Sequence, residues 1–231
     1  MTIKHYFNDF AALFFPPACV GCRTTLITGE QIFCTQCWYH LPFTNFHTDP
    51  ENRSAKRLWG RANLRGVTSY LYFREHSRVQ HMIHQLKYRN RPDIAVLLGR
   101  KYGQLLRHTT PFSEADYIIP IPLHRRKLLR RGYNQSSCFA YGLADSMQIP
   151  VIEQAVIRRR HTPSQTKKNR YQRIENIRGA FAVAKPEALS GKHLLLVDDV
   201  LTTGATIEAC ADALLQDRSI SISAVTIAHT I

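Results

Sequence analysis

The thirteen-residue run Leu194-Leu-Leu-Val-Asp-Asp-Val-Leu-Thr-Thr-Gly-Ala-Thr206 limits what this chain can become more than any other segment. An unbroken apolar stretch, Leu194 to Val197, ends in two adjacent carboxylates, Asp198 and Asp199. A loop of small and hydroxyl-bearing residues comes next, and then a helical pattern begins. A short apolar run without alternation reads as a strand buried on both faces, as in the middle of a parallel sheet. Acids at its carboxyl end lie where open α/β sheets bind ligands. The 202–206 loop can turn backbone N–H groups and hydroxyls toward a phosphate, with the positive end of the next helix behind it. Gly204 lets the backbone turn sharply or come close to a ligand. Paired acids in such a place need partners to offset their desolvation. The arrangement suits a sugar phosphate, with carboxylates on the ribose hydroxyls and the loop on the 5′-phosphate.

Charge supports a phosphate-bearing ligand. The chain has 31 Lys and Arg against 17 Asp and Glu, a formal net charge of +14. The excess concentrates between Pro122 and Arg178, where 13 basic residues outnumber the three acids Asp145, Glu153 and Glu175. Such a field attracts phosphates, on a small substrate or along a nucleic acid. No run approaches the roughly 18 apolar residues of a membrane span. The apolar segment Tyr6 to Phe15 carries Asp9 and lacks a basic leader and a small-residue cleavage site. It reads as a short amphipathic helix packed on the domain behind it rather than an export signal, so a cytoplasmic location is expected.

Four of the six cysteines form Cys19-x-x-Cys22, then eleven residues, then Cys34-x-x-Cys37. Two such knuckles at this distance suit a tetrahedral zinc site, structural because four thiolates leave no open position. Disulfides fit poorly with a chain lacking an export signal. The chain then divides into residues 1–45, a helix and zinc ribbon; residues 46–65, a polar connector; and residues 66–231. In the last part strand and helix patterns alternate. Strands are expected over 66–73, 117–122, 151–158, 194–197 and 220–229, and helices over 79–88, 94–107, 135–147 and 204–216. That alternation implies an α/β fold, a mostly parallel sheet covered on both faces.

The Asp198–Asp199 run matches, at every position, the phosphoribosyl-pyrophosphate (PRPP) signature of type I phosphoribosyltransferases. The whole chain resembles the ComF family. The resemblance is carried by Phe14-Phe-Pro-Pro-x-Cys-x-x-Cys22, the second CxxC, Ile83-His-Gln-Leu-Lys-Tyr88, Pro122-Leu-His124, Arg131-Gly-Tyr-Asn-Gln135, Thr162-Pro-Ser-Gln-Thr166, Arg173 to Phe181 and the PRPP loop. It implies a type I phosphoribosyltransferase fold, a twisted, mostly parallel sheet flanked by helices, with an N-terminal four-cysteine zinc ribbon. It implies Mg²⁺ bound with PRPP and structural Zn²⁺ on Cys19, Cys22, Cys34 and Cys37.

In this family's terms, Asp198 and Asp199 are the catalytic acids, and Leu201, Thr202, Thr203, Gly204, Ala205 and Thr206 bind the 5′-phosphate. Leu123, His124 and Arg125 occupy the place of the pyrophosphate loop. Lys87 is a candidate to join them, or an ordinary lysine at a helix end where the dipole favours it. Residues 162–181 correspond to a closing lid, with Gln165, Arg170, Arg173 and Asn176 able to reach the ligand, or to a long solvent loop. The family is linked to uptake of single-stranded DNA during natural transformation. Basic loops and the aromatics Trp38, Tyr39, Tyr88, Tyr133 and Tyr171 would engage that DNA. A helicase or competence-machinery partner is a further expectation. The competing functions are a metabolic phosphoribosyltransferase acting on an unidentified base, and a non-catalytic DNA-binding or helicase-adaptor protein. Neither ribbon nor connector displays an obvious base pocket.

Overall fold

The computed structural model describes residues 16–158, 179–184 and 186–231. The expected helix in the first fifteen residues lies outside them. Four parallel strands form the centre: β1 (Gly66–Phe73), β2 (Tyr117–Pro120), β5 (His193–Leu201) and β6 (Ser221–Thr230). Their order across the sheet is β1-β6-β5-β2. Strand β5 lies between β6 and β2 and shows why its sequence is unbroken. Leu195 and Val197 face one apolar cluster, while Leu194 and Leu196 face another on the opposite side.

The first cluster is covered by α3 (Arg78–Tyr88), α4 (Pro92–Leu106) and α6 (Gln135–Met147). The second is covered by α7 (Ala205–Leu214) and by Leu58. Helices α4 and α6 touch backbone to backbone. A Cβ on Gly142 would lie 2.2 Å from the Val96 carbonyl oxygen, and one on Gly99 would lie 2.4 Å from that of Phe139. Glycine is the residue that permits this approach.

Helix α6, the first to pack on the sheet after β2, and α7, the helix after β5, cover opposite faces of the sheet. Between adjacent parallel strands whose succeeding helices diverge, the carboxyl ends leave a crevice, the usual ligand position in open α/β sheets.

The four-cysteine segment packs into the first cluster through Val20, Phe33 and Leu41, and the Gln85 amide donates to the Val20 carbonyl at 3.2 Å. Its short helix α1 is Thr35–Tyr39. Residues 42–44 then run along β1, with Tyr72 N–H donating to Pro42 O at 2.8 Å and Thr44 N–H to Tyr70 O at 3.1 Å. Residues 46–65 carry a 3₁₀ turn at Phe46–Thr48 and the short helix α2 (Arg53–Lys56).

Three expectations change. The strand expected over 151–158 is split. Val151 makes one parallel bridge to Ile118, and β3 (Val156–Arg158) pairs antiparallel with β4 (Phe181–Val183) in a separate small sheet. The apolar residues on either side of Glu153 and Gln154 belong to different sheets, which a one-dimensional pattern does not distinguish. The basic stretch after Pro122 contains a helix, α5 (Arg125–Arg131), that buries no residue and so has no apolar stripe to announce it. Strand β5 extends four residues past Val197, so both acids sit within the strand rather than beyond it.

Candidate functional site

The crevice between β2 and β5 opens into a cavity of about 220 Å³. One wall is acidic, formed by Asp198 and Asp199. The remaining wall is donor-rich, with Lys87, Lys127, Arg131, Gln135, Ser136 and Arg158. Each arrives for a local reason. Asn134 caps α6, its Oδ1 accepting from Ser136 N–H at 3.2 Å, while its Nδ2 donates to Ile121 O at 3.0 Å. This pins the start of α6 to the exit of β2 and holds Gln135 and Ser136 over the cavity. Side-chain capping of this kind satisfies helix donors that lack a backbone partner.

Asp198 is inward-facing. Its Oδ1 accepts from Ser136 Oγ at 3.1 Å and from Asp199 N–H at 2.8 Å. Burial, reinforced by the neighbouring Asp199 charge, pushes its pKa up to about 7. Asp199 pairs with Lys87, Nζ to Oδ2 at 2.8 Å, in a partly shielded pair. Burial draws the Arg158 pKa down, and the Asp198 charge opposes that fall. Two carboxylates share a small polar space with the cations of Lys87, Lys127, Arg131 and Arg158. Such a site accepts a ligand with hydroxyls or a cation at one end and anionic oxygens at the other.

Two donors on that wall have no hydrogen-bond acceptor, Gln135 Nε2 and Arg131 Nε. Gln135 is 1 % exposed, and its Oε1 is already taken by Arg131 Nη1 at 2.8 Å. Buried polar atoms without partners are rare and costly.

Of the residues singled out from sequence, Asp198, Asp199, Thr202, Thr206, Leu123 and Lys87 line the cavity. Leu201 is buried in the core behind it. Thr203 and Gly204 form the turn into α7, with Gly204 at φ +81° and Ala205 as the first helical residue. His124 and Arg125 are not among the lining residues. His124 caps α5, its Nδ1 accepting from Arg126 N–H at 3.2 Å, and Arg125 is exposed. Gln165, Arg170, Arg173 and Asn176 lie outside the described residues. Sequence reasoning missed Lys127, Arg131, Gln135, Ser136 and Arg158 as cavity residues. A signal was present in Arg131-Gly-Tyr-Asn-Gln135, where a turn glycine and an N-cap asparagine sit between two polar side chains.

The four cysteines of the N-terminal segment also converge. Their sulfurs lie within 4.8 Å of one another, with Cys22 and Cys34 at 3.7 Å. Tetrahedral zinc with ligands at about 2.3 Å separates its sulfurs by about 3.8 Å. Backbone N–H groups of Gly21 and Cys34 point at Cys19 Sγ, at 3.3 and 3.2 Å, and that of Cys37 points at Cys34 Sγ at 3.4 Å. Donors aimed at sulfur favour thiolates. Hydrogen bonding from Thr24 draws the Cys22 thiol down to about 6, whereas burial pushes Cys37 up. The donor set and its geometry fit Zn²⁺.

Among the described residues no helix is long and apolar enough to cross a membrane.

Residues 134–230 match the family model of the phosphoribosyl transferase domain. The chain is 30% identical over 224 residues to the DNA utilization protein YhgH of Escherichia coli strain K12, covering 90% of this chain and 94% of that one. It is 34% identical over 131 residues to competence protein F of Haemophilus influenzae, covering 54% of this chain and 57% of that one. It is 30% identical over 111 residues to competence protein ComFC of Bacillus subtilis, covering 48% and 43%. This chain belongs to the ComF family, a phosphoribosyltransferase-type core preceded by a four-cysteine ribbon.

Proposed function

We propose that this ComF-family protein binds PRPP with Mg²⁺ in the β2–β5 crevice and serves the handling of single-stranded DNA in competence. The observation that carries the reading is the cavity itself, where the Asp198–Asp199 pair shares one small space with Lys87, Lys127, Arg131 and Arg158. PRPP has the matching polarity. Its ribose hydroxyls suit the carboxylates, its diphosphate oxygens suit the donor wall, and its 5′-phosphate suits the amides and hydroxyls of 202–206 at the start of α7.

Mg²⁺ takes one or two carboxylates together with substrate phosphates, and the acidic pair fits that donor set. When bound, such an ion screens the charge of a departing diphosphate. The chain's own residues do the rest. Asp198 and Asp199 orient the ribose and place negative charge beside an anomeric carbon that turns cationic as pyrophosphate leaves. Lys87 exchanges its contact with Asp199 for the diphosphate, and Arg131 and Gln135 receive the same group. Removing one preorganised electrostatic contact of this kind costs a factor of about 10²–10³ in rate.

A nucleic-acid role rests on the surface next to the cavity. Helix α5 buries none of its residues, and the guanidiniums of Arg130 and Arg131 lie 5.5 and 5.3 Å from the centre of the half-exposed Tyr88 ring. Cations beside an exposed ring are the components that hold a stacked base and its phosphate. The DNA-related names of the relatives agree with that use.

The test is calorimetric titration with PRPP in the presence of Mg²⁺, on the wild type and on Asp199→Asn. The wild type is expected to bind and the folded variant to lose at least about 100-fold in affinity or turnover. A folded Asp199→Asn protein that binds PRPP as the wild type does would refute the assignment.

A further inference from the structure

Residues 52–61 read in the sequence as polar chain between two folded parts. In the structure they form the back of the 202–206 loop. Asn52 is 3 % exposed and anchors the segment. Its Nδ2 donates to the carbonyls of Phe46, Asp49 and Val67 at 3.1, 2.7 and 2.8 Å, and its Oδ1 caps α2 through Ser54 and Ala55 N–H. Ser54 Oγ then bonds to Ser69 Oγ at 2.8 Å and to His229 Nδ1 at 3.0 Å, which fixes α2 to β1 and β6.

From this base two arginines, four residues apart in the turns that follow α2, reach the loop. Arg57 Nη1 donates to the Thr202 carbonyl and, at 2.8 Å, to Thr230 Oγ1. Arg61 Nη1 donates to the Thr203 carbonyl at 2.5 Å, and its Nη2 pairs with Glu208 on α7. Between them Leu58, 1 % exposed, fills the space beside Gly204, where a Cβ would lie 2.7 Å from its Cδ2.

The consequence comes from peptide geometry. In a planar trans peptide the C=O and the next N–H point in opposite directions. Two successive carbonyls, of Thr202 and Thr203, are drawn back toward the arginines. The N–H groups of Thr203 and Gly204 are therefore turned away from them. A guanidinium on each carbonyl also polarises the peptide and makes its N–H a stronger donor. Among the described residues Arg57 has no carboxylate partner, and its positive charge lies behind the loop.

We propose that Arg57 and Arg61 are positioning residues for a phosphomonoester, the 5′-phosphate of a pentose. They do not touch that group. They fix the loop amides that do. This assignment rests on the phosphoribosyl reading of the crevice. It adds to the phosphate loop a part of the chain, between ribbon and core, that lies far from the loop in sequence.

The experiment measures ribose 5-phosphate and Mg²⁺-pyrophosphate affinities separately by calorimetry, for the full-length wild type, Arg57→Met, Arg61→Met and Arg57→Lys. Each Met variant is expected to bind ribose 5-phosphate about 10-fold more weakly or worse, the weight of one charge-assisted hydrogen bond. Pyrophosphate affinity stays within about 2-fold, and Arg57→Lys falls in between because a point charge cannot reproduce the planar fork. Unchanged ribose 5-phosphate affinity in both Met variants overturns the proposal, as does an equal loss for both ligands, which marks general damage. Should Arg57→Met fail to fold, Arg61→Met decides, since that side chain is more exposed. A wild type that binds neither ligand defeats the phosphoribosyl reading itself. A wild type that binds both, with indifferent variants, defeats this assignment alone.

Discussion

Asp198→Asn should stabilise the ligand-free protein while removing its function. The carboxyl is largely shielded beside Asp199, and its pKa rises from 3.8 to about 7. The unfolded chain ionises near 3.8, so between that pH and 7 the folded state holds a proton that the unfolded state lacks. Stability therefore falls as pH rises across this interval and levels off above 7. At about 1.4 kcal/mol per pH unit, the full penalty at pH 8 approaches roughly 4 kcal/mol. Asn carries none of it. Its Oδ1 can accept from Ser136 Oγ and Asp199 N–H as the acid does, and its amide can donate toward the neighbouring carboxylate. The assay is urea unfolding of both proteins in Mg²⁺-free buffer at pH 5.5 and pH 8. The variant's advantage should grow by about 2 kcal/mol between the two, since the pH span up to 7 is about 1.5 units. Titrating groups remote from the Asp198–Asp199 pair cancel in the difference. A variant less stable than the wild type at pH 8, or an advantage that does not widen with pH, would show that burial does not govern this carboxylate.

Two further perturbations test the scaffold. Cys37→Ser should reduce bound zinc from one ion per chain to none and lower the melting temperature by more than about 5 °C, because the ribbon's apolar residues belong to the main core. Zinc content at the wild-type level in that variant would rule out a four-thiolate site. Gly142→Ala should cost at least about 2 kcal/mol in denaturant unfolding, since the added methyl meets Val96 O at 2.2 Å and Arg100 N at 2.9 Å, both backbone atoms that cannot swing aside. A loss below about 0.5 kcal/mol would mean that α4 and α6 are free to separate.

Much of the site could be read along the chain because its chemistry is local. Strand β5, the acid pair and the 202–206 turn are contiguous, so one stretch displays strand, carboxylates and hydroxyl-rich turn together. The Cys-x-x-Cys knuckles are legible for the same reason. The donor wall was harder. Arg131 and Gln135 flank a recognisable turn and cap, but nothing in their spacing says that they share a cavity with Asp198, more than sixty positions later. Helix α5 is hidden in the sequence because it buries nothing and so lacks periodicity. The 151–158 segment misled because an apolar pattern records burial without recording which sheet provides it.

The amino-acid order alone determined the α/β class, the four-cysteine cluster and the adjacency of the acid pair to the hydroxyl-rich 202–206 turn, since each depends on near neighbours and on periodicity. Only tertiary structure decided that α6 and α7 cover opposite faces of the sheet and thereby open the crevice at the ends of β2 and β5. Only it brought Lys87 to Asp199 and put Arg57 and Arg61 behind the loop. Those contacts join positions more than a hundred residues apart, and they are set by how layers pack rather than by any pattern a single segment can carry.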